Sequence, residues 1–285
     1  MKDSVAVLGG DLRQVCLAQL FHSDGWKTMT WGLEKAGAPF GVSLDHALEA
    51  GIIVLPLPVC RGNQLNLPLT NTELSCDVLW KRLHSDQIIL GGMVGSLCSY
   101  VKNVFDLELW DYYDREEVQI ANAVPTAEGA IMRAMELSKR TLHGSKCLVV
   151  GYGRIGKVLA HRLHGLGAEV TVSARKHSDL AWIEAYGYQP VRSENISGEI
   201  ERYDLIFNTV PAMILDSSCL KGAKSDCILM ELASAPGGID GNTVKEYSLQ
   251  MTVERGLPGK VAPETSARSI RDAIYRILNE QGERV

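Results

Sequence analysis

Six consecutive residues, Gly151-Tyr152-Gly153-Arg154-Ile155-Gly156, hold the most specific chemistry in this sequence. Cys147-Leu148-Val149-Val150 before them reads as a buried parallel strand. Lys157 to Leu163 reads as a helix, and Glu169-Val170-Thr171-Val172 as a second strand. In that strand, turn, helix, strand setting, G-x-G-x-x-G is a dinucleotide-binding fingerprint. Gly151 makes the tight turn, Gly153 lets a pyrophosphate approach the backbone, and Gly156 lets helix and strand pack closely. The helix N-terminus offers free N–H groups to the anion. A glycine-rich turn in an unliganded domain is the plainer alternative, and the surrounding pattern disfavours it.

The end of the second strand chooses the cofactor. An NAD site usually places Asp or Glu there, about twenty residues past the first glycine, on the ribose 2′-OH. Here the chain reads Ser173-Ala174-Arg175-Lys176, with no carboxylate. Ser173 can hydrogen-bond a 2′-phosphate, and Arg175 and Lys176 can pair with its charge. NADP(H) is therefore favoured over NAD(H), against the alternative of an ordinary solvated basic pair. Two later strand ends carry small polar residues and prolines. Asn208, Thr209, Val210 and Pro211 on one, with Ala233 on the other, are expected to border the nicotinamide.

A second strand, glycine, helix opening lies near the start. Ser4 to Leu8 leads through Gly9-Gly10 to Asp11 and Arg13, which stand where a fingerprint would carry glycines. This region is expected to resemble a nucleotide-binding domain without being the main nucleotide site. Asp11 and Arg13 sit at a strand's carboxyl end, where open α/β sheets bind ligands. They face a substrate, or they are a helix cap with a solvated arginine. The Gly91 to Ser96 amides offer a carboxylate site, or form a bland loop. Pro125 suits the first position of a helix running from Pro125 to Leu142, and Glu128 its first turn. Glu128 is a general acid/base candidate at the cleft, or a helix-dipole carboxylate.

The elements that must position these residues follow from pattern. Apolar runs alternate with helical patterns along all 285 residues. The expected fold is α/β: two Rossmann-like, doubly wound parallel-sheet domains with an interdomain cleft. Residues 1–123 make an N-terminal substrate domain, joined by a C-terminal helix over 264–285. Residues 124–263 make the NADP-binding domain and include the linking helix. Asp106 to Glu117, dense in aromatics and acids, reads as surface structure near the junction.

A net charge of −5 argues against a general nucleic-acid or anionic-membrane partner, so an anionic substrate needs local cations. The apolar run from Gly51 to Val59 is too short to span a bilayer, and no signal peptide is expected. The seven cysteines are widely spaced without a C-x-x-C pair, suggesting neither a metal site nor a disulfide framework, and a reducing cytoplasm fits them. There is no G-x-S-x-G elbow, P-loop lysine motif or H-E-x-x-H.

Several further runs carry a family resemblance. They are Gly9-Gly10-Asp11-Leu12-Arg13-Gln14, Pro125-Thr126-Ala127-Glu128-Gly129, His143-Gly144-Ser145, Asn208 to Leu215, Glu231 to Gly238 and Gly256 to Pro263. With the fingerprint, the chain closely resembles the A subunits of dipicolinate synthase from spore-forming bacteria, over nearly its full length. The resemblance implies NADP-dependent oxidation of a dihydrodipicolinate-type intermediate, from the lysine branch, to dipicolinate. It also implies a flavoprotein-like B subunit of dipicolinate synthase as partner, and action in the cytoplasm of the mother cell during sporulation. Ala235 stands where relatives can carry arginine, which puts one cationic contact to the substrate in question, and Glu231 where they can carry aspartate. For a small dicarboxylate, Arg13, Arg61, Lys260 and Arg268 are the available cations. Arg13 with one more is expected to hold the two carboxylates, and Asp11 or Glu128 to take the proton. Two alternatives stay open: a non-catalytic NADPH-binding or regulatory subunit, and a 2-hydroxyacid-dehydrogenase-like reductase, whose Arg-Glu-His set is not evident. Homo-oligomerisation is compatible with either.

Overall fold

The protein is described here by a computed structural model covering residues 3–282. Its chain divides into two compact units, Met1–Asn122 with Pro258–Val285, and Ala123–Leu257.

The first unit begins with β1 (Ser4–Leu8), α1 (Leu12–Ser23), β2 (Lys27–Trp31), α2 (Leu44–Ala47) and β3 (Ile52–Val54). A small hairpin, β4 (Cys60–Arg61) and β5 (Gln64–Leu65), precedes α3 (Cys76–Trp80), β6 (Ile88–Gly91), α4 (Leu97–Phe105) and β7 (Leu109–Asp111). The long helix α5 (Glu116–Leu137) spans the division of the chain.

The second unit continues with β8 (Lys146–Val150), α6 (Arg154–Gly165), β9 (Glu169–Ala174), α7 (His177–Ala185) and β10 (Gln189–Arg192). It is completed by β11 (Leu205–Asn208), α8 (Ser217–Leu220), β12 (Ile228–Glu231), α9 (Gly241–Glu246) and β13 (Gln250–Val253). A short α10 (Leu257–Val261) and then α11 (Pro263–Glu280) lead the chain back into the first unit.

Both main sheets are parallel throughout. The first has the order β2-β1-β3-β6-β7, the second β10-β9-β8-β11-β12-β13. These are the two common doubly wound orders, the first flavodoxin-like and the second that of the classical dinucleotide fold. Parallel sheets covered on both faces demand apolar residues on both sides. In β8, accordingly, Cys147, Leu148, Val149 and Val150 are all fully buried, split between two apolar clusters. In β1 and β3 the buried residues divide in the same way. α11 supplies Ile270, Ile274, Ile277 and Leu278 to the first unit's core.

Several expectations are corrected. The predicted Pro125–Leu142 helix begins nine residues earlier, at Glu116, so Pro125 lies inside it and the first-turn acids are Glu116 and Glu117. Asp106 to Glu117 is not merely surface: it contains edge strand β7, and Tyr112 is wholly buried, its hydroxyl donating to the Leu55 carbonyl at 2.9 Å. Cys60 and Cys76, read as separate thiols, are joined as a disulfide. Cys147, Cys219 and Cys227 are buried, and burial pushes the thiols of Cys147 and Cys227 up to about 12.

Candidate functional site

In open α/β sheets, ligands collect beyond the carboxyl ends of the strands, where the strand order reverses. In the second unit the reversal falls between β8 and β11. The fingerprint turn leaves β8 at this point. Gly151 has φ +99°, and a Cβ there would lie 2.6 Å from Val210 Cγ2 and 2.8 Å from Thr209 Oγ1. A Cβ on Gly156 would sit 2.1 Å from the Gly151 carbonyl oxygen, so only glycine permits this helix–turn contact. Gly153 is different. Nothing lies within 4 Å of its Cβ position, and as the N-cap of α6 it gives that end no side-chain hydrogen bond. An open approach beside uncapped N–H groups fits the pyrophosphate of a dinucleotide. Arg154 begins α6 and is exposed, Ile155 is half-buried, and Lys157 Nζ lies 5.3 Å from the Tyr152 ring centroid.

At the end of β9, Arg175 and Lys176 are both exposed and available to an anion. Ser173 is not. It is fully buried, and its hydroxyl accepts from Gly151 N–H at 3.3 Å, so it braces the glycine turn instead of reaching a 2′-phosphate.

The two strand ends expected to border the nicotinamide are tied to each other. Asn208 is fully buried. Its Nδ2 donates to the Val210 carbonyl and to Glu231, and its Oδ1 accepts from Val210 N–H. It shapes the edge and has no group left over for a ligand's face. Thr209 donates to the Val150 carbonyl at 2.8 Å, and Val210 is half-buried while Pro211 is exposed. Ala233 is buried, and its N–H donates to Glu231. Beside it, Arg255, two residues past β13, approaches the Ala233 carbonyl with Nε at 3.5 Å and has no ion-pair partner among the described residues. Sequence reading assigns Glu231 no site role beyond its place in a family run, and assigns Arg255 none. An acid closing an apolar strand, ahead of Gly237-Gly238, was the available signal for the first.

In the first unit the order reverses between β1 and β3. Asp11 caps α1, in a capping box with Gln14. Its carboxylate also accepts two hydrogen bonds from the Arg13 side chain, at 2.9 and 2.8 Å. Arg13 Nη2 reaches on to the Leu57 carbonyl beyond β3, at 3.0 Å. Arg13 is buried. Burial works against its charge, but Asp11 outweighs it and holds the guanidinium above its ordinary pKa. The pair bridges the reversal as one unit. A Cβ on Gly259 would lie 2.5 Å from Asp11 Oδ2, so α10 packs against the same carboxylate.

Other candidates separate from these edges. Asp111 already takes the Met93 and Val94 amides, at 3.2 and 2.9 Å, so that loop offers neither N–H to a substrate. Glu128 is exposed, mid-helix in α5, with Arg162 Nε at 3.6 Å. It lines a groove of about 510 Å³ with Met132, Met135, His161, Arg162 and Leu166, beside the far half of α6 from the fingerprint. Arg268 pairs with Glu264 on α11, and Arg61 and Lys260 are exposed.

The class follows from fold and site together: a two-unit α/β protein whose second unit carries a dehydrogenase-type nicotinamide-cofactor domain. Residues 115–236 match the NAD-binding domain of D-isomer-specific 2-hydroxyacid dehydrogenases. Residues 4–113 match the family described as the N-terminal domain of the dipicolinate synthase A subunit. Along its whole length the chain is similar to the A subunit of dipicolinate synthase. It is 27% identical to that protein of Bacillus subtilis (strain 168), over 97% of this chain and 96% of the other. The crystal structure of the Bacillus halodurans A subunit superposes with TM-score 0.87, at 26% identity and 98% coverage of both chains. That of the Bacillus subtilis protein gives 0.84, at 27% identity, covering 100% of this chain and 98% of the other.

Proposed function

We propose that this chain is the A subunit of a dipicolinate synthase, oxidising a dihydrodipicolinate-type intermediate to dipicolinate with NADP⁺ as the favoured acceptor. The observation that carries the reading is its end-to-end similarity to known A subunits of that enzyme, which includes both the first unit and the fingerprint unit. A bound nicotinamide would supply the hydride acceptor. The rest falls to the protein. The open turn at Gly153 and the α6 N-terminus hold the pyrophosphate, and Arg175 and Lys176 meet a 2′-phosphate. Loss of one hydride and one proton makes the ring aromatic, which supplies much of the driving force. What remains is positioning of two carboxylates and acceptance of the proton.

Asp11 and Arg13 are proposed for substrate contact as a coupled pair, with Asp11 as proton acceptor. Glu128 is not retained in that role, because it pairs with Arg162 in the α5–α6 groove. Independently, Arg255 is proposed as a carboxylate-binding cation of the second unit, at the edge where Ala235 brings none. A dipicolinate synthase B subunit as partner, action in the mother-cell cytoplasm and service in sporulation come with the same reading.

The test is dipicolinate formation from freshly generated lysine-pathway intermediate, with NADP⁺ or NAD⁺, by the chain alone and with its B subunit. Product from the chain alone, faster with NADP⁺, is expected. Product only when the B subunit is present would make this chain half of a shared site. Absence of product under both conditions would sink the reading.

A further inference from the structure

Glu231 ends β12 and is only 2% exposed. A buried carboxylate is costly unless its lone pairs are filled. No Lys, Arg or His pairs with it among the described residues. Four donors fill it instead. Oε1 accepts from Asn208 Nδ2 at 2.8 Å and Ala233 N–H at 2.9 Å. Oε2 accepts from Gly238 N–H at 2.8 Å and Ile239 N–H at 3.2 Å. One donor comes from the end of β11 and three from the loop after β12. Asn208 in turn holds Val210 from both sides. The packing around this junction leaves no slack. A Cβ on Gly238 would lie 2.5 Å from the Ala212 carbonyl oxygen and 2.7 Å from that of Val210, and one on Gly237 would meet Glu231 Oε2 at 2.8 Å.

We infer that Glu231 is a positioning residue for hydride transfer: it touches no ligand, and it fixes the Asn208–Pro211 and Ala233–Gly238 segments as one edge for the nicotinamide. This rests on the nicotinamide chemistry proposed for the second unit. The carboxylate suits the task because it is acceptor-only at both oxygens, and all four of its partners are donors. A carboxamide of the same size would turn one oxygen into an NH₂ facing two donors. Asn208 cannot compensate by flipping, because its own Oδ1 is engaged with Val210 N–H. The adenosine half of the cofactor depends on different groups, at Gly153 and Arg175, so the two halves can be read separately.

The experiment compares wild type with Glu231→Gln and Glu231→Asp in the full chain. It measures kcat at saturating cofactor, and the affinities for the dinucleotide and for its ADP-ribose fragment with and without the 2′-phosphate. Glu231→Gln is expected to lose tenfold or more in kcat and the affinity advantage of the dinucleotide over the fragment, while fragment affinity stays within twofold. Glu231→Asp should recover part of both. A folded Glu231→Gln protein with kcat and dinucleotide advantage within twofold of wild type overturns the inference. So does parallel loss of fragment and dinucleotide binding, which would mark a general structural role. If Glu231→Gln does not fold, Gly238→Ala presses on the same junction from outside the carboxylate, and the same split is required of it. A wild-type chain that transfers no hydride either alone or with its B subunit would refute the proposed function, while the affinity comparison would still judge Glu231.

Discussion

The nucleotide and the acid proposed for this chain rest on single side chains, and each can be tested. Arg175 and Lys176 project from the end of β9, where an acidic residue would otherwise meet a ribose hydroxyl, whereas Ser173 turns inward to Gly151 N–H. Replacing both cations with Ala should weaken NADP(H) binding roughly tenfold, by loss of charge-assisted contacts to the 2′-phosphate. NAD(H) binding should stay within about twofold, and Ser173→Ala should leave the ratio of the two affinities unchanged. Titration with both nucleotides checks this, and a ratio that moved with Ser173 but not with the cations would overturn it. Arg255 raises a parallel question about the substrate. Its guanidinium stands beside the Ala233 carbonyl with no ion-pair partner among the described residues. Arg255→Ala should raise the KM for the dicarboxylate roughly tenfold and leave cofactor affinity alone, as expected for removal of a guanidinium–carboxylate contact. Steady-state kinetics with a varied dicarboxylate would show it, and an unchanged KM would remove Arg255 from the site. The glycine turn was legible in sequence because each glycine answers a local steric demand. The Glu231 and Asp111 contacts were not, because the groups they accept from lie up to 23 and 18 residues distant. No spacing rule links a carboxylate to partners that only the folded loops bring near.

At the scale of elements, strands were easier to read than helix starts. β8, β11 and β12 are continuous apolar runs because both their faces are covered, and such runs need no tertiary context to be seen. α5 misled because Pro125 and Glu128 imitate a helix N-terminus. The true start, with Glu116 and Glu117 in its first turn, lies in a segment whose aromatics suggested something else. β7 and β10 are short edge strands with little apolar pattern of their own, of three and four residues, so pairing with a neighbour defines them.

One joint between elements can be tested by pH. Asp204 precedes β11, and its carboxylate accepts from Lys146 N–H at the start of β8 and from Lys224 Nζ, with Arg140 close by. Desolvation pushes its pKa up, but Lys224 and the Lys146 amide outweigh that and hold it below the ordinary value of 3.8. A carboxylate with a depressed folded pKa stabilises the protein above its unfolded pKa, and that contribution fades as pH falls through the folded value. Asp204→Asn should therefore cost about 1–2 kcal/mol near neutral pH, through charge-assisted bonds made weaker. The gap to wild type should shrink below pH ~4 as the native carboxylate protonates. Urea unfolding across that range measures it. A gap that stayed constant with pH would mean that the charge of Asp204 does not contribute.

At the scale of the molecule, the chain leaves its first unit within α5, builds the second, and returns through α10 and α11. The first unit is therefore unfinished until the last helix is made. α11 packs on α1, and its Ile270, Ile274, Ile277 and Leu278 join the core that contains Val5, Leu17, Phe21 and Val54. Fully burying a large aliphatic side chain contributes roughly 1.5–3 kcal/mol. Four of them reach the order of a whole domain's net stability, about 5–15 kcal/mol. The second unit is continuous from Ala123 to Leu257 and draws nothing from α11 into its own apolar clusters. A chain ending at Leu257 should then lose the first unit selectively. Hydrogen exchange is the suitable measurement, because it reports each strand separately. Amides of β1, β3 and β6 should exchange rapidly in the shortened chain, while those of β8, β9 and β11 keep their protection, and the nucleotide should still bind. Protection retained in β1 and β3 would show that the first sheet stands without its closing helix. Loss of protection in both sheets would show that the second unit depends on the first, which its separate core argues against.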